Sequence, residues 1–317
     1  MQPQSRHLLL GFLSLSALVF FAVSLQLPRV PLFAEVMPSG QAAPQASSGT
    51  ARLWISALKY GHPVKDLKED ELELWVGKEK QKISSLTFDP PVPLVLGFIV
   101  DASGSERLGW PGPELNLAHD FLQKVLRPVD QVFLADFNDK SHLDAGPTAD
   151  LSQIEQGLEK IRALRPYGGT ALFDTIEASC DLLKTRAGAR HLLVVVTDGL
   201  DNASRHTRLQ AVRAARLSNT SVSIIFRPAG QLESSSVGTH SPRTLIAMQD
   251  VTQATGGLLA QPSASEADIG RDLDAVANFV RAQYAVDFNA GSSISEGDKM
   301  KVKCLRHHVK IFAPEQY

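Results

Sequence analysis

Four short runs, composed mostly of apolar residues, constrain the fold of this chain most strongly. Such runs, which do not alternate with polar residues, are typical of strands that helices cover on both faces, as in a parallel sheet. Between the runs, apolar residues recur with the 3.6-residue period of helices, as in Leu172, Ile176, Cys180 and Leu183. We therefore predict a doubly wound α/β fold, with a mostly parallel sheet flanked by helices. The predicted strands span residues 94–100, 131–137, 191–197 and 222–226.

Carboxylate and hydroxyl side chains stand at the carboxyl ends of two of these strands and at the start of one helix. In doubly wound sheets the ligand site lies at the carboxyl ends of the strands, so these side chains should come together there. They offer only hard oxygen donors, which suit Mg²⁺, with Mn²⁺ or Ca²⁺ as alternatives, and they include no thiolate or imidazole for zinc or copper. The predicted ligands are Asp101, Ser103 and Ser105 after the first strand, Thr170 in the Gly-Gly-Thr segment, and Asp198 after the third strand.

Asp136, near the end of the strand at 131–137, is a further candidate for this site. One interpretation is that it hydrogen bonds to a ligand of the metal. The other is that it is an ordinary polar residue at a strand end. The sequence alone leaves these two interpretations open.

The order Asp-x-Ser-x-Ser, later Thr, later Asp resembles the metal-ion-dependent adhesion site (MIDAS) of von Willebrand factor A domains. The resemblance covers about residues 91–282. It implies that Ser103, Ser105 and Thr170 are hydroxyl ligands, and that Asp101 and Asp198 coordinate the metal directly or through water. It also implies that one metal position is left for an acidic side chain of a protein partner.

The sequence departs from the family pattern at Glu106, where many relatives have an apolar residue, and in a long polar loop at 227–243. These departures leave the identity of the partner open and do not affect the predicted metal ligands. The chain is also similar to the von Willebrand A-related proteins of Acidobacteria, because short accessory strands flank its A domain.

Residues 51–90 and 283–317, on either side of the A domain at 91–282, alternate between apolar and polar side chains. That period of two indicates half-exposed antiparallel strands. Since each segment alone is too small to be stable, we hypothesise that the two pack together as one small β-subdomain.

The first 27 residues contain an uncharged apolar run at 8–25, preceded by Arg6 and His7. Its length suits either a cleaved signal peptide or an uncleaved membrane anchor. Residues 28–50, rich in Pro, Ala and Ser, should form a flexible linker. We therefore expect a periplasmic or extracellular protein that touches the membrane only through its N-terminal segment.

Composition argues against two classes of protein. With 32 Lys and Arg against 34 Asp and Glu, the formal net charge is −2, so there is no electrostatic sign of nucleic-acid binding. Two cysteines, Cys180 and Cys304, are too few for a disulfide framework. Whether these two pair with each other stays open.

The leading prediction is a non-enzymatic module that binds a protein through its metal, outside the cytoplasm. The alternative is a scaffold or assembly subunit of a membrane-associated complex. A metal-dependent hydrolase is disfavoured, because the sequence ties no histidine or acidic general base to the site.

Overall fold

The computed structural model describes residues 30–31, 50–227, 242–260, 266–290, 295 and 297–316. The apolar run at 8–25 lies outside these residues, as do most of the linker at 28–50 and of the polar loop at 227–243. Among the residues that are described, no helix is both long and apolar enough to cross a membrane.

The elements follow one another as strands, then alternating strands and helices, then strands. The strands are β1 (Val30–Pro31), β2 (Thr50–Lys59), β3 (His62–Pro63), β4 (Leu72–Val76), β5 (Glu79–Gln81), β6 (Ile83–Phe88), β7 (Leu94–Asp101), β8 (Gln131–Phe137), β9 (Ser141–Thr148), β10 (Arg190–Thr197), β11 (Thr220–Phe226), β12 (Leu259–Ala260), β13 (Gln283–Asn289), β14 (Met300–Cys304) and β15 (Val309–Phe312). The helices are α1 (Pro113–Val125), α2 (Leu151–Arg162), α3 (Leu172–Lys184), α4 (Arg208–Leu217), α5 (Pro242–Ala254) and α6 (Glu266–Arg281), with 3₁₀ turns at Glu69–Glu71 and Gly104–Arg107.

A seven-stranded sheet with the order β1-β9-β8-β7-β10-β11-β12 forms the centre of the molecule. Strands β8, β7, β10, β11 and β12 run parallel to one another. At one side of the sheet β9 pairs antiparallel with β8, and β1 pairs antiparallel with β9. Every residue of β7 and β10 is buried, as the apolar runs predict. The predicted doubly wound α/β fold is confirmed.

Helices cover both faces of this sheet. Apolar residues of α1, α2 and α6 join one buried cluster, and those of α3, α4 and α5 join a second cluster on the other face. The helix starts follow capping chemistry: Pro113 is the first residue of α1, and Asp150 caps α2 by accepting a hydrogen bond from the Ser152 amide. Cys180, on the apolar side of α3, is part of the second cluster.

The flanking strands form two antiparallel sheets around a third apolar cluster. In the larger sheet, of order β15-β2-β13-β6, strands from before and after the central domain alternate, with β3 paired to β2. In the smaller sheet β14 lies beside β4, which also pairs with β5. Cys304 ends β14, and both cysteines are free.

Candidate metal centre

The two predicted carboxylate ligands lie side by side at the point where the strand order of the central sheet reverses. Strand β7 has β8 on one side and β10 on the other, and the register pairs Val100 with Val196. Asp101 is the last residue of β7, and Asp198 directly follows β10. Their position is the one at which doubly wound sheets bind ligands.

Each oxygen of the buried Asp101 carboxylate accepts a hydrogen bond. Its Oδ1 accepts from the amide of Ser103 at 2.9 Å, and its Oδ2 accepts from Thr197 Oγ1 at 2.6 Å. Thr197 Oγ1 in turn accepts from the amide of Gly199 at 3.0 Å. This chain of bonds fixes the Asp101 loop relative to the Asp198 loop.

The two predicted serine ligands lie at the 3₁₀ turn that follows β7. Ser103 precedes the turn and is buried, whereas Ser105 is within it and exposed. Their Oγ atoms are 3.0 Å apart and share a hydrogen bond. The two hydroxyls therefore lie next to each other at the carboxyl end of β7.

Backbone contacts tie the loop of Thr170 to the other two loops. The amide of Gly104 donates to the carbonyl of Gly168 at 3.0 Å, and a Cβ at Gly104 would come within 3.1 Å of that same oxygen. The amide of Thr170 donates to Asn202 Oδ1 at 2.8 Å, and its carbonyl accepts from the Asn202 amide at 3.0 Å. Thr170 is thus held, buried, between the loops of Asp101 and Asp198.

A third carboxylate, that of Glu106, lies at the same end of the sheet, and it had not been assigned to the site from the sequence. Ligand oxygens of Asp101, Glu106 and Asp198 all lie within 4.8 Å of one another. The sequence marked Glu106 as a departure from the family pattern, but only the 3₁₀ turn Gly104–Arg107, in which residues three apart eclipse one another, brings it to the side of Ser103. No acidic general base had been assigned to the site from the sequence, and Glu106 had been missed as a member of this cluster.

The charges at this edge are unbalanced in the absence of a cation. Burial, followed by the negative charge of Asp198, raises the pKa of Asp101 to about 6, against the hydrogen bonds that lower it. Burial and the nearby Asp101 raise the pKa of Glu106 to about 8. Among the described residues, Glu106 Oε1 and Asp198 Oδ2 are buried and have no hydrogen-bond partner. Unpartnered carboxylate oxygens beside one another, with two serine hydroxyls close by, fit a hard divalent cation.

Asp136 lies on the other face of the sheet from Asp101. The register places it beside Val100, one residue before Asp101, and successive strand residues point to opposite faces. There it lies beside His142 of β9, with 3.5 Å between Oδ1 and Nδ1. A role for Asp136 at the metal site remains a prediction.

Comparison with known proteins bears on the same part of the chain. Residues 96–200 match the family model of the von Willebrand factor type A domain. The five predicted ligands and Glu106 all lie within this segment.

The chain is also similar to several solved structures at low identity. One is an aerotolerance-related membrane protein from Bacteroides fragilis, at 16% identity and a TM-score of 0.45, covering 59% of this chain and 98% of that chain. Another is the mussel byssus proximal thread matrix protein 1 with a zinc-occupied MIDAS motif, at 16% identity and a TM-score of 0.49, covering 63% and 48% of the two chains. A third is the manganese-loaded TRAP protein of Plasmodium vivax, at 13% identity and a TM-score of 0.46, covering 77% and 98%.

The family match at residues 96–200 agrees with the α/β sheet around β7 and β10. The chain contains a von Willebrand factor type A domain.

Proposed function

We propose that this protein is a non-enzymatic binding module, whose A domain recognises a protein partner through a divalent cation. The proposal rests mainly on the carboxylates of Asp101, Glu106 and Asp198, which lie together where the strand order of the sheet reverses. Two of their buried oxygens have no hydrogen-bond partner among the described residues. The proposed ligands are Asp101, Ser103, Ser105, Thr170 and Asp198.

Each group has a separate part in this proposal. The carboxylates of Asp101 and Asp198 supply the negative charge that attracts the cation, and the three hydroxyls supply neutral oxygen donors. Thr197 and Asn202 keep the loops in place, since their side chains bond to Asp101 and to the Thr170 amide. A bound cation would supply positive charge to an acidic side chain of the partner. Mg²⁺ is the ion we expect, because all these donors are hard oxygens.

The proposed location is periplasmic or extracellular, and it rests on the apolar run at 8–25. A reporter that is active only outside the cytoplasm, fused after residue 48, should be active. Activity of a cytoplasm-only reporter at the same point would contradict the location.

Glu106 gives a specific reason to keep the hydrolase as a second candidate. A carboxylate beside a cation can accept a proton from water, which is the part of a general base. The binding function is preferred because ligand oxygens of Glu106 and both aspartates lie close enough to surround one ion. Hydrolysis of ester or phosphoester substrates that is lost in Glu106→Gln would favour the hydrolase.

Metal titration with a matched variant tests the binding function. Calorimetric titration with Mg²⁺ or Mn²⁺ should show one site in the wild type and none in Asp198→Ala. Glu69→Gln removes one exposed charge far from the site in sequence and should bind as the wild type does.

Partners are then captured in Mg²⁺ and in chelator, and neutralising the partner's acidic residue should abolish binding. A partner that binds equally well in chelator would favour the scaffold alternative.

A further inference from the structure

We propose that Glu106 is an internal ligand of the cation, which occupies the coordination position that an acidic residue of the partner would otherwise take. The A domain would then cap its own metal site, and a partner would have to displace Glu106. This inference rests on the proposed function, because it concerns the same cation.

The local backbone directs Glu106 towards the site. The amide of Glu106 donates to the carbonyl of Ser103 at 3.1 Å, which closes the 3₁₀ turn Gly104–Arg107. With three residues per turn, residues 103 and 106 lie on the same side of it. The turn therefore brings the side chain of Glu106 to the side on which Ser103 faces the metal site.

The spacing of the carboxylates suits one coordination sphere. In an octahedron with metal–oxygen distances of about 2.1 Å, neighbouring oxygens lie about 3 Å apart and opposite ones about 4.2 Å. The oxygens of Asp101, Glu106 and Asp198 lie within 4.8 Å of one another without an ion. Of three ligands in one octahedron at most one pair can be opposite, so at least two of these pairs must lie about 3 Å apart once the ion is bound, and the Glu106 side chain must rotate inward by up to about 1.8 Å to reach both aspartates.

Two oxygens of this cluster have no partner that would explain their burial. Glu106 Oε1 is buried, and Asp198 Oδ2 belongs to a residue that is only 1% exposed. Neither accepts a hydrogen bond from any residue that the structure describes. Since a buried carboxylate oxygen without a partner is costly, a shared cation accounts for both.

The nearby Arg227 is engaged elsewhere. Its Nη1 is 2.5 Å from Oε2 of Glu114, a residue of α1 that is almost fully buried. A Cβ on Gly112 would collide with both groups, so the glycine allows this pair to form. The charge of Arg227 therefore acts on Glu106 from a distance and lowers its pKa, but the ion pair that the guanidinium forms is with Glu114.

The charge balance gives the functional consequence. Three ionised carboxylates around one divalent cation leave a net charge of −1, which repels a further carboxylate. Without Glu106 the site would be neutral and would have one coordination position more for water or for an incoming acid. Glu106 should therefore strengthen cation binding and oppose the binding of acidic groups.

Mn²⁺ serves as the probe, because its effect on water proton relaxation reports the number of water molecules on the ion. The variants are Glu106→Ala, Glu106→Gln and the charge control Glu69→Gln. We expect both Glu106 variants to bind Mn²⁺ about tenfold more weakly or worse, and Glu106→Ala to show a higher relaxation enhancement per bound ion. Glu69→Gln should match the wild type in both measurements.

Sodium acetate, added at constant ionic strength, then stands in for the acidic residue of a partner. It should lower the relaxation enhancement of Mn²⁺-loaded Glu106→Ala and leave that of the wild type unchanged. Equal Mn²⁺ affinity and equal relaxation in wild type and Glu106→Ala would overturn the internal ligand and leave the metal site standing. Absence of Mn²⁺ binding in the wild type, as in Asp198→Ala, would overturn the proposed function as well.

Discussion

The hydroxyl of Thr197, at the end of β10, donates a 2.6 Å hydrogen bond to Asp101 Oδ2, at the end of β7. Both residues are almost fully buried, so this bond links two neighbouring parallel strands where no solvent competes. It also orients the Asp101 carboxylate, whose other oxygen accepts from the Ser103 amide. Thr197 thus acts on the candidate metal site through Asp101.

Thr197→Val keeps the shape of the side chain and removes this donor. It leaves Asp101 Oδ2 and the Gly199 amide without their partner, which should lower the free energy of unfolding by about 1–3 kcal/mol. Urea unfolding in chelator measures this change. Thr185→Val, at the exposed end of α3, is the control and should stay within about 0.5 kcal/mol of the wild type. Equal losses in the two variants would contradict a special role for the Thr197 bond.

Divalent cations should stabilise the wild-type protein. Because the ion binds the folded state, the free energy of unfolding should rise with concentration, by about 2.7 kcal/mol at roughly a hundredfold excess over Kd. Calorimetric melting with and without Mg²⁺ measures this effect, which Asp101→Ala and Asp198→Ala should abolish. In chelator Asp198→Ala should melt close to or above the wild-type temperature, because repulsion between the carboxylates is relieved, whereas Asp101→Ala also loses the bonds from Thr197 and Ser103 and should melt below it. An Mg²⁺ effect that persists in both variants would place the ion elsewhere.

Thr170→Ala should weaken cation binding while leaving the fold nearly intact. The backbone bonds between Thr170 and Asn202 do not need the hydroxyl, so the loss of stability should be about 0.5–2 kcal/mol. Thr170→Ser retains the hydroxyl and should restore most of the affinity in a calorimetric titration with Mn²⁺. Wild-type affinity in Thr170→Ala would remove Thr170 from the ligand set.

Tyr284→Phe tests whether the two flanking segments form one unit. The Tyr284 hydroxyl donates to the carbonyl of Val64 at 2.9 Å and accepts from the amide of Leu67 at 3.1 Å, and the ring is buried. Loss of both bonds should lower the free energy of unfolding by about 1–3 kcal/mol. Tyr60→Phe, at an exposed position, is the control for urea unfolding and should change it little. A neutral Tyr284→Phe would argue against coupling of the segments through this residue.

The two cysteines should differ in reactivity and should not form a disulfide. Cys180 is fully buried, and burial raises the pKa of its thiol to about 12, so it is protonated and inaccessible at neutral pH. Cys304 is only partly buried. A chromogenic disulfide reagent should therefore modify one thiol in the native protein and two in denaturant. Cys304→Ser should abolish the native reaction, and reaction of fewer than two thiols in denaturant would point to a disulfide.

The sequence by itself determined the architecture of the central domain. Apolar runs such as that of β10 are stable only when both faces are covered, and the amphipathic helices between them supply the cover. Because parallel strands end at one edge, the order of Asp101, Thr170 and Asp198 was also enough to predict that their loops converge.

Only the tertiary structure decided which other side chains reach that edge. Glu106 follows Ser105 in the sequence, but its return towards the aspartates depends on the chain forming a 3₁₀ turn, which no apolar period marks. Asp136 stands one residue before the end of β8 and pairs with Val100, so it points to the opposite face from Asp101. The pairing of β2 with β13 joins residues more than 200 positions apart, so local patterns indicate that the strands exist and only packing selects their partners.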